Sequence, residues 1–258
     1  MDCKNCGKSL CTDQNYCPAC GAKFIRNRIT FKSLWLEVME RFFNLDNTFI
    51  KTFLHLLTKP EAVIGGYIGG IRKKYLDPLS YLGIALTISG LFVLLLRKYF
   101  VDKIDFEMLA FSGTDAALSK KIMDITLDIG SFVFVLYIPI LALAGWLIFN
   151  QKKYLLSEYM VVGVYTLAHY SILSFPISLL ILAIVPEYYL ILAIPMFTVM
   201  MLYATYVANR LNGTDLLKSI MFILIFIVGY FGISIFLNLL FLLTGLLELK
   251  DFLPKGTP

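Results

Sequence analysis

Charge is what this chain has least of. Of its 258 residues only 16% are charged, against 59% hydrophobic, where a soluble domain carries about 25% charged residues. Mean hydropathy is +0.76. With several apolar runs of about 20 residues, this depletion excludes a soluble domain and predicts an all-α integral membrane protein. Cysteine is missing after residue 20, which excludes a disulfide scaffold spread through an exported domain. No long apolar run precedes Leu79, so no signal peptide is expected. Histidine occurs twice, and no G-x-S-x-G, H-E-x-x-H or paired His–Asp signature is present. No residue is therefore predicted to be catalytic, and an enzyme is not the expected reading.

The five cysteines all lie within Cys3–Cys20. Cys3/Cys6 and Cys17/Cys20 form two Cys-x-x-Cys pairs, each followed by glycine, a pattern that points to metal binding in a reducing compartment. A tight knuckle brings two thiolates to one ion, and glycine permits the turn that aims N–H groups at sulfur. Four thiolates fill a tetrahedral shell, so the expected cofactor is structural zinc, with rubredoxin-like iron as the rival. So few residues bury no core, and folding of this ribbon (residues 1–24) should depend on the metal. Cys11 is left over, either as a spare thiol or as a substitute ligand or redox sensor.

Residues 25–75 read as a basic, amphipathic juxtamembrane region. Phe31, Leu34, Trp35, Val38, Met39 and Phe42 recur at helical spacing. After a break at Asn44–Asn47, with Asp46 a plausible N-cap, a second helix carries Phe49, Ile50, Phe53, Leu54 and Leu57. Both helices suit either the membrane interface or packing on the ends of the spans, and His55 falls on the polar side of the second. Thr58 and Glu61 fit a capping box for a third, short helix. That helix runs into Gly65-Gly66-Tyr67-Ile68-Gly69-Gly70, which is either a pair of G-x-x-x-G faces or a flexible elbow. Arg72, Lys73 and Lys74 follow, as a topology anchor or as a lipid- or anion-binding site.

From residue 76 to 258 the pattern predicts a five-helix transmembrane bundle. The spans are expected at about 79–96, 129–149, 158–184, 188–207 and 220–247. Pro139, Pro176 and Pro195 fall inside spans two, three and four, where kinks would shape a cavity. Lys and Arg from residue 72 onward divide evenly between the two faces; the basic stretch Lys23–Lys59 breaks the tie. The amino terminus is expected in the cytoplasm and the carboxyl terminus outside, in a bacterial inner membrane. Asp102, Asp105 and Glu107 in the loop after span one read as a solvated face. Within the spans, His169 and Tyr170 form the candidate polar site. Asn238 is expected to hydrogen-bond between helices, and Asp128 and Glu158 to sit at span ends.

The first third of the chain resembles an uncharacterised bacterial family, a domain of unknown function that joins a short zinc ribbon to a juxtamembrane motif. The matching residues are the two cysteine pairs, Ile29-Thr30-Phe31-Lys32, Phe42-Phe43-Asn44-Leu45-Asp46, Pro60, Tyr67-Ile68-x-Gly70-x-Arg72-Lys73-x-Tyr75 and Pro78, over about residues 3–81. Ile71 departs from the basic residue expected there. The resemblance implies no activity. In layout alone, the five spans after an amino-terminal region are similar to Yip1-type membrane proteins, which act in trafficking and membrane organisation. The expected function is a non-enzymatic membrane adaptor. Its partners are the lipid bilayer and a cytoplasmic protein or an anionic lipid; no nucleic acid is expected, and the glycine faces provide for a homo-oligomer. A transporter or lipid-handling protein using a cavity among the spans is the alternative. A membrane enzyme acting on lipid headgroups through His169 or Asp128 comes third.

Overall fold

The computed structural model describes residues 2–9, 16–22, 30, 48–106, 116–129, 135–149 and 154–247. The expected helix over Phe31–Phe42, the Asp46 cap, Cys11 and Glu107 lie outside these. The chain divides into two compact units, Met1–Asn47 and Thr48–Pro258.

The second unit is helical throughout its described length. Helix α1 covers residues 48–58. It is followed by α2 (Pro60–Ile68), α3 (Pro78–Tyr99), α4 (Ala116–Ile129), α5 (Tyr137–Phe149), α6 (Leu156–Ile184), α7 (Tyr189–Asn212) and α8 (Leu216–Leu243). Local chemistry sets many of these ends. Pro78 opens α3, and Asp77 accepts the Ser80 N–H at 3.0 Å. Asp215 caps α8 through the Lys218 N–H, and Glu158 takes the free N–H of Leu155 at the start of α6. A 3₁₀ turn, Pro186–Tyr188, makes the tight hairpin from α6 to α7, and Gly213, with φ of 97°, ends α7. Thr58 does not cap α2. Its hydroxyl donates back to Leu54 O, Lys59 takes the N-cap position without a side-chain bond, and Glu61 turns outward to Arg210. The glycine run closes α2 rather than extending it: Gly69 is the C-cap and Gly70 has a φ of 96°.

Four helices, α3, α6, α7 and α8, are long and apolar enough to cross a membrane, so this is a multi-pass membrane protein. The apolar run expected over 129–149 is helical in α5 for 13 residues. That is about 20 Å of helix over the described residues; positions 130–134, inside the expected span, lie outside them. Pro139 lies in the first described turn of α5, just after a 3₁₀ stretch at 135–136. Pro176 and Pro195 do sit inside α6 and α7.

The short helix is nevertheless central. Ile138, Leu141, Ala144 and Phe149 of α5 pack with Leu167 of α6, Met201, Ala204 and Ala208 of α7, and Phe222 and Phe226 of α8. Three glycines permit this approach. A Cβ on Gly145 would stand 2.9 Å from the Tyr159 ring, and one on Gly163 would stand 3.0 Å from Ile138 O. At Gly229 an added Cβ would collide with the Ile140 side chain. In a bilayer, where apolar helices gain little from leaving lipid, such close packing is a main source of association. The outer faces remain apolar: Val228, Phe231, Ile235 and Phe236 of α8 are all more than half exposed, and lipid is their solvent.

At the far ends of the spans, Leu96, Ile104, Phe106 and Leu182 form one cluster, and Leu118 and Ile125 of α4 join Phe241 and Leu247 in another. Lys120 faces Asp102 at 3.4 Å. Arg97 donates to Asp128 at 2.6 Å and to Asp124 O.

Replacing Gly229 by Ala should lower the thermal midpoint in detergent by the equivalent of about 1–3 kcal/mol of overpacking. Gly232→Ala, where a Cβ meets open space, should leave the midpoint unchanged or raise it slightly. Equal effects at both positions would contradict the packing described.

Candidate metal centre and intramembrane polar site

Within the first unit the two cysteine pairs adopt the same turn. Cys3 N–H donates to Lys8 O and Gly7 N–H to Cys3 O, both at 2.8 Å; Cys17 N–H donates to Ala22 O at 2.9 Å and Gly21 N–H to Cys17 O at 2.8 Å. Gly7 and Gly21 have φ of 73° and 71°, a left-handed conformation that only glycine adopts without strain. An antiparallel bridge, Asp2 to Ser9, closes the first knuckle.

The four sulfurs all lie within 4.8 Å of one another, with Cys3–Cys20 and Cys6–Cys17 at 3.6 Å. Thiolates at about 2.3 Å from a common ion stand about 3.8 Å apart when tetrahedral, so the donor set fits a metal ion. The chemistry agrees. N–H groups of Cys20 and Ala19 lower the Cys17 pKa, and the Ala22 N–H, with Asn5, draws Cys20 down to about 6. The Lys8 N–H acts likewise on Cys6, but the neighbouring sulfurs outweigh it and push that thiol up to about 12. Four crowded sulfurs resist full ionisation unless a cation sits among them. Cys3 and Cys17 are buried, Cys6 and Cys20 exposed.

In the helical unit the structure separates the two residues that the sequence places side by side. Tyr170 donates to Met196 O at 2.6 Å and lines a crevice of about 350 Å³ among α3, α5, α6, α7 and α8. Ser89, Phe92, Ser174, Ser178 and Met196 also line it, so it lies along the stretches that carry Pro176 and Pro195. His169 points elsewhere and is fully buried. Its Nδ1 lies 2.6 Å from the Tyr81 hydroxyl, its Nε2 has no partner, and its ring lies against Phe53, Tyr203 and Tyr81. This is an aromatic cage around one imidazole.

The cage belongs to a larger set of tyrosine contacts that fasten residues 48–77 to the spans. Tyr203 donates to Leu56 O and Tyr206 to Thr58 O, each at 3.2 Å, so two hydroxyls satisfy carbonyls that the end of α1 leaves free. Tyr165 donates to Leu76 O at 2.6 Å, while Thr52 accepts the Leu76 N–H. His55 is more than a polar-face residue: its Nδ1 meets Tyr75 OH at 2.8 Å. Glu61 and Arg210 add a two-pronged ion pair, with Nε to Oε2 at 3.0 Å and Nη2 to Oε1. The sequence reading missed Tyr81, Tyr165 and Tyr203. Their signal was a phenol within an apolar run, which needs a hydrogen-bond partner once buried.

Other expected sites resolve differently. Asn238 donates to Ser234 O within its own helix, and its Oδ1 is buried without a partner, so it forms no bridge between helices among the described residues. Asp128 sits in the exposed pair with Arg97, apart from the His169 cage. Arg72, Lys73 and Lys74 are exposed around the elbow at Gly70 and Ile71.

Two outcomes follow. Tyr81→Phe and His169→Leu should each destabilise the protein by about 1–3 kcal/mol, since each strands a buried partner. The double variant should cost clearly less than the sum, a coupling that thermal melts of all four proteins would reveal; strict additivity would exclude the bond. For Glu61, burial pulls the pKa up, but Arg210 outweighs it and holds the carboxyl below its usual range. Its contribution is therefore full above the ordinary carboxylate pKa and disappears as pH falls through the depressed value. With the two side chains 35% and 45% exposed, solvent screens the pair and keeps its contribution small. Melts from about pH 6 to about pH 3 should show Glu61→Gln less stable at the upper end and equal at the lower.

Against known proteins the chain matches little. No curated protein and no solved structure matches it. Residues 46–90 match a family model described as protein of unknown function (DUF3667). That stretch holds α1, α2, the basic elbow and the first half of α3, and so includes Thr52, Leu56, Tyr75 and Tyr81 of the tyrosine-fastened segment. An uncharacterised family was expected from the motifs; over its juxtamembrane segment and the start of its first long span, this chain is similar to the DUF3667 proteins.

Proposed function

We propose that the protein is a non-enzymatic membrane adaptor. A zinc ribbon at residues 1–24 recruits a cytoplasmic protein partner, and the helical unit holds it at the bilayer, with the amino terminus inside a bacterial inner membrane. The observation that carries this reading is the four-sulfur shell. Cysteine fills every position of a tetrahedral site, which leaves no place for water or substrate and assigns the ion to folding. Zinc suits that set because it has no redox chemistry of its own. Tyr16, 59% exposed, with the exposed Lys4 and Lys8, offers the aromatic and cationic anchors that protein partners use.

The crevice beside Pro176 and Pro195 favours a second reading, a lipid-handling protein. Its lining is mostly apolar with several hydroxyls, as lipid or small-molecule sites are.

Native mass spectrometry of protein extracted in mild detergent distinguishes the two. The adaptor reading expects one zinc per chain and a stoichiometric protein partner. The partner should be lost on deletion of residues 1–24, while the helical unit keeps its thermal midpoint. Intact partner capture by the deletion variant would overturn it, and a stoichiometric lipid retained in place of a protein would favour the second reading.

A further inference from the structure

Helix α1 has three faces. At 100° per residue, Thr52 and Leu56, both fully buried, share a side with the half-buried Phe49 and Phe53. That side meets the spans, Phe53 lying against the His169 ring. Ile50, Leu54 and Leu57 occupy an arc of about 60° next to it and are 53%, 51% and 37% exposed. Lys51 and His55 form the third face, turned toward Tyr75. A helix that packed only on protein would carry polar side chains on the second face.

Depth explains the apolar one. His169 lies thirteen residues into α6, about 20 Å along it. A helix whose Phe53 reaches that ring runs beside the spans, not beyond their ends. Charge lies at the neighbouring edge. Tyr75 carries the Lys51 ammonium at 5.9 Å and the Lys74 ammonium at 5.4 Å from one ring centroid, and Arg72 lies over Tyr67 at 5.3 Å. Lys73 is exposed beside them. Gathering like charges on one ring is unfavourable unless an anion answers them. The exposed Ile71 and Leu79 flank the same elbow.

We propose that α1 and the elbow form an interfacial anchor that binds anionic phospholipid. Ile50, Leu54 and Leu57 lie against acyl chains, and Lys51, Arg72, Lys73 and Lys74 hold the lipid phosphate at headgroup level. Apolar and cationic faces on adjacent sides of one helix are the pattern that places a helix in the bilayer boundary, and each nearby cation adds attraction to an anionic leaflet. The inference is independent of whether the ribbon recruits a partner.

The test uses the full chain in vesicles of phosphatidylglycerol and phosphatidylcholine in equal parts. A photo-crosslinking phenylalanine analogue at position 54 should label lipid, and the same group at Leu56 should label protein. Label at position 54 passing only to protein, whether a second copy or another chain, would overturn the acyl-chain contact. Native mass spectrometry should show phosphatidylglycerol retained over phosphatidylcholine. The preference should fall several-fold when Lys51, Arg72, Lys73 and Lys74 are all replaced by Gln, surface changes that leave the buried contacts in place. An unchanged preference would overturn the headgroup site.

Discussion

The hydroxyls of Tyr165, Tyr203 and Tyr206, each donated to a backbone carbonyl of residues 56–76, are the contacts on which the arrangement of the helical unit turns. A bilayer offers no water to a carbonyl left free at a helix end, and an unmet polar group there costs several kcal/mol. Helix α1 ends beside the spans, so its last carbonyls must find donors on neighbouring helices. Phenols suit the task. The ring is apolar enough for a transmembrane helix, and the hydroxyl reaches across to the next one. These donors join the Glu61–Arg210 pair and the buried Leu56, Val63 and Ile64 in holding the segment that carries the basic elbow beside the spans.

Helix α5 solves a related problem by other means. It supplies four of the residues at the centre of the main core. Gly145, Gly163 and Gly229 remove the side chains that would hold α6 and α8 away from it. Dispersion at short range then replaces a hydrophobic driving force that lipid does not provide. The crevice adjoins this core, with Leu167, Tyr137 and Tyr230 belonging to both.

The ribbon depends on a different bond again. Its knuckles repeat one turn twice, each with a left-handed glycine, and their N–H groups favour the thiolate form of the cysteines they face. Little else in residues 2–9 and 16–22 is buried. Four sulfurs close enough to share an ion stand there in place of a core, where the helical unit is held by tyrosine bonds and glycine packing.

What the sequence by itself determined follows from short-range chemistry. Cys-x-x-Cys-Gly specifies a knuckle, an apolar run of about 20 residues specifies a span, and Asp-Pro or Asp-Leu-Leu-Lys opens a helix. The helical membrane architecture and the four-cysteine cluster were legible for that reason; of the apolar face expected on α1, Ile50, Leu54 and Leu57 are exposed, and Thr52 and Leu56 are the fully buried residues. Tertiary structure alone decided the rest. Thr58 and Glu61 have capping spacing, but a carbonyl at Leu54 and a guanidinium at Arg210 compete for them and win. His169 and Tyr170 are neighbours in sequence, and helical rotation sends one into an aromatic cage and the other to a crevice. Tyr81 and His169 are 88 positions apart. No local pattern encodes that pairing, because it exists only once α3 and α6 lie side by side.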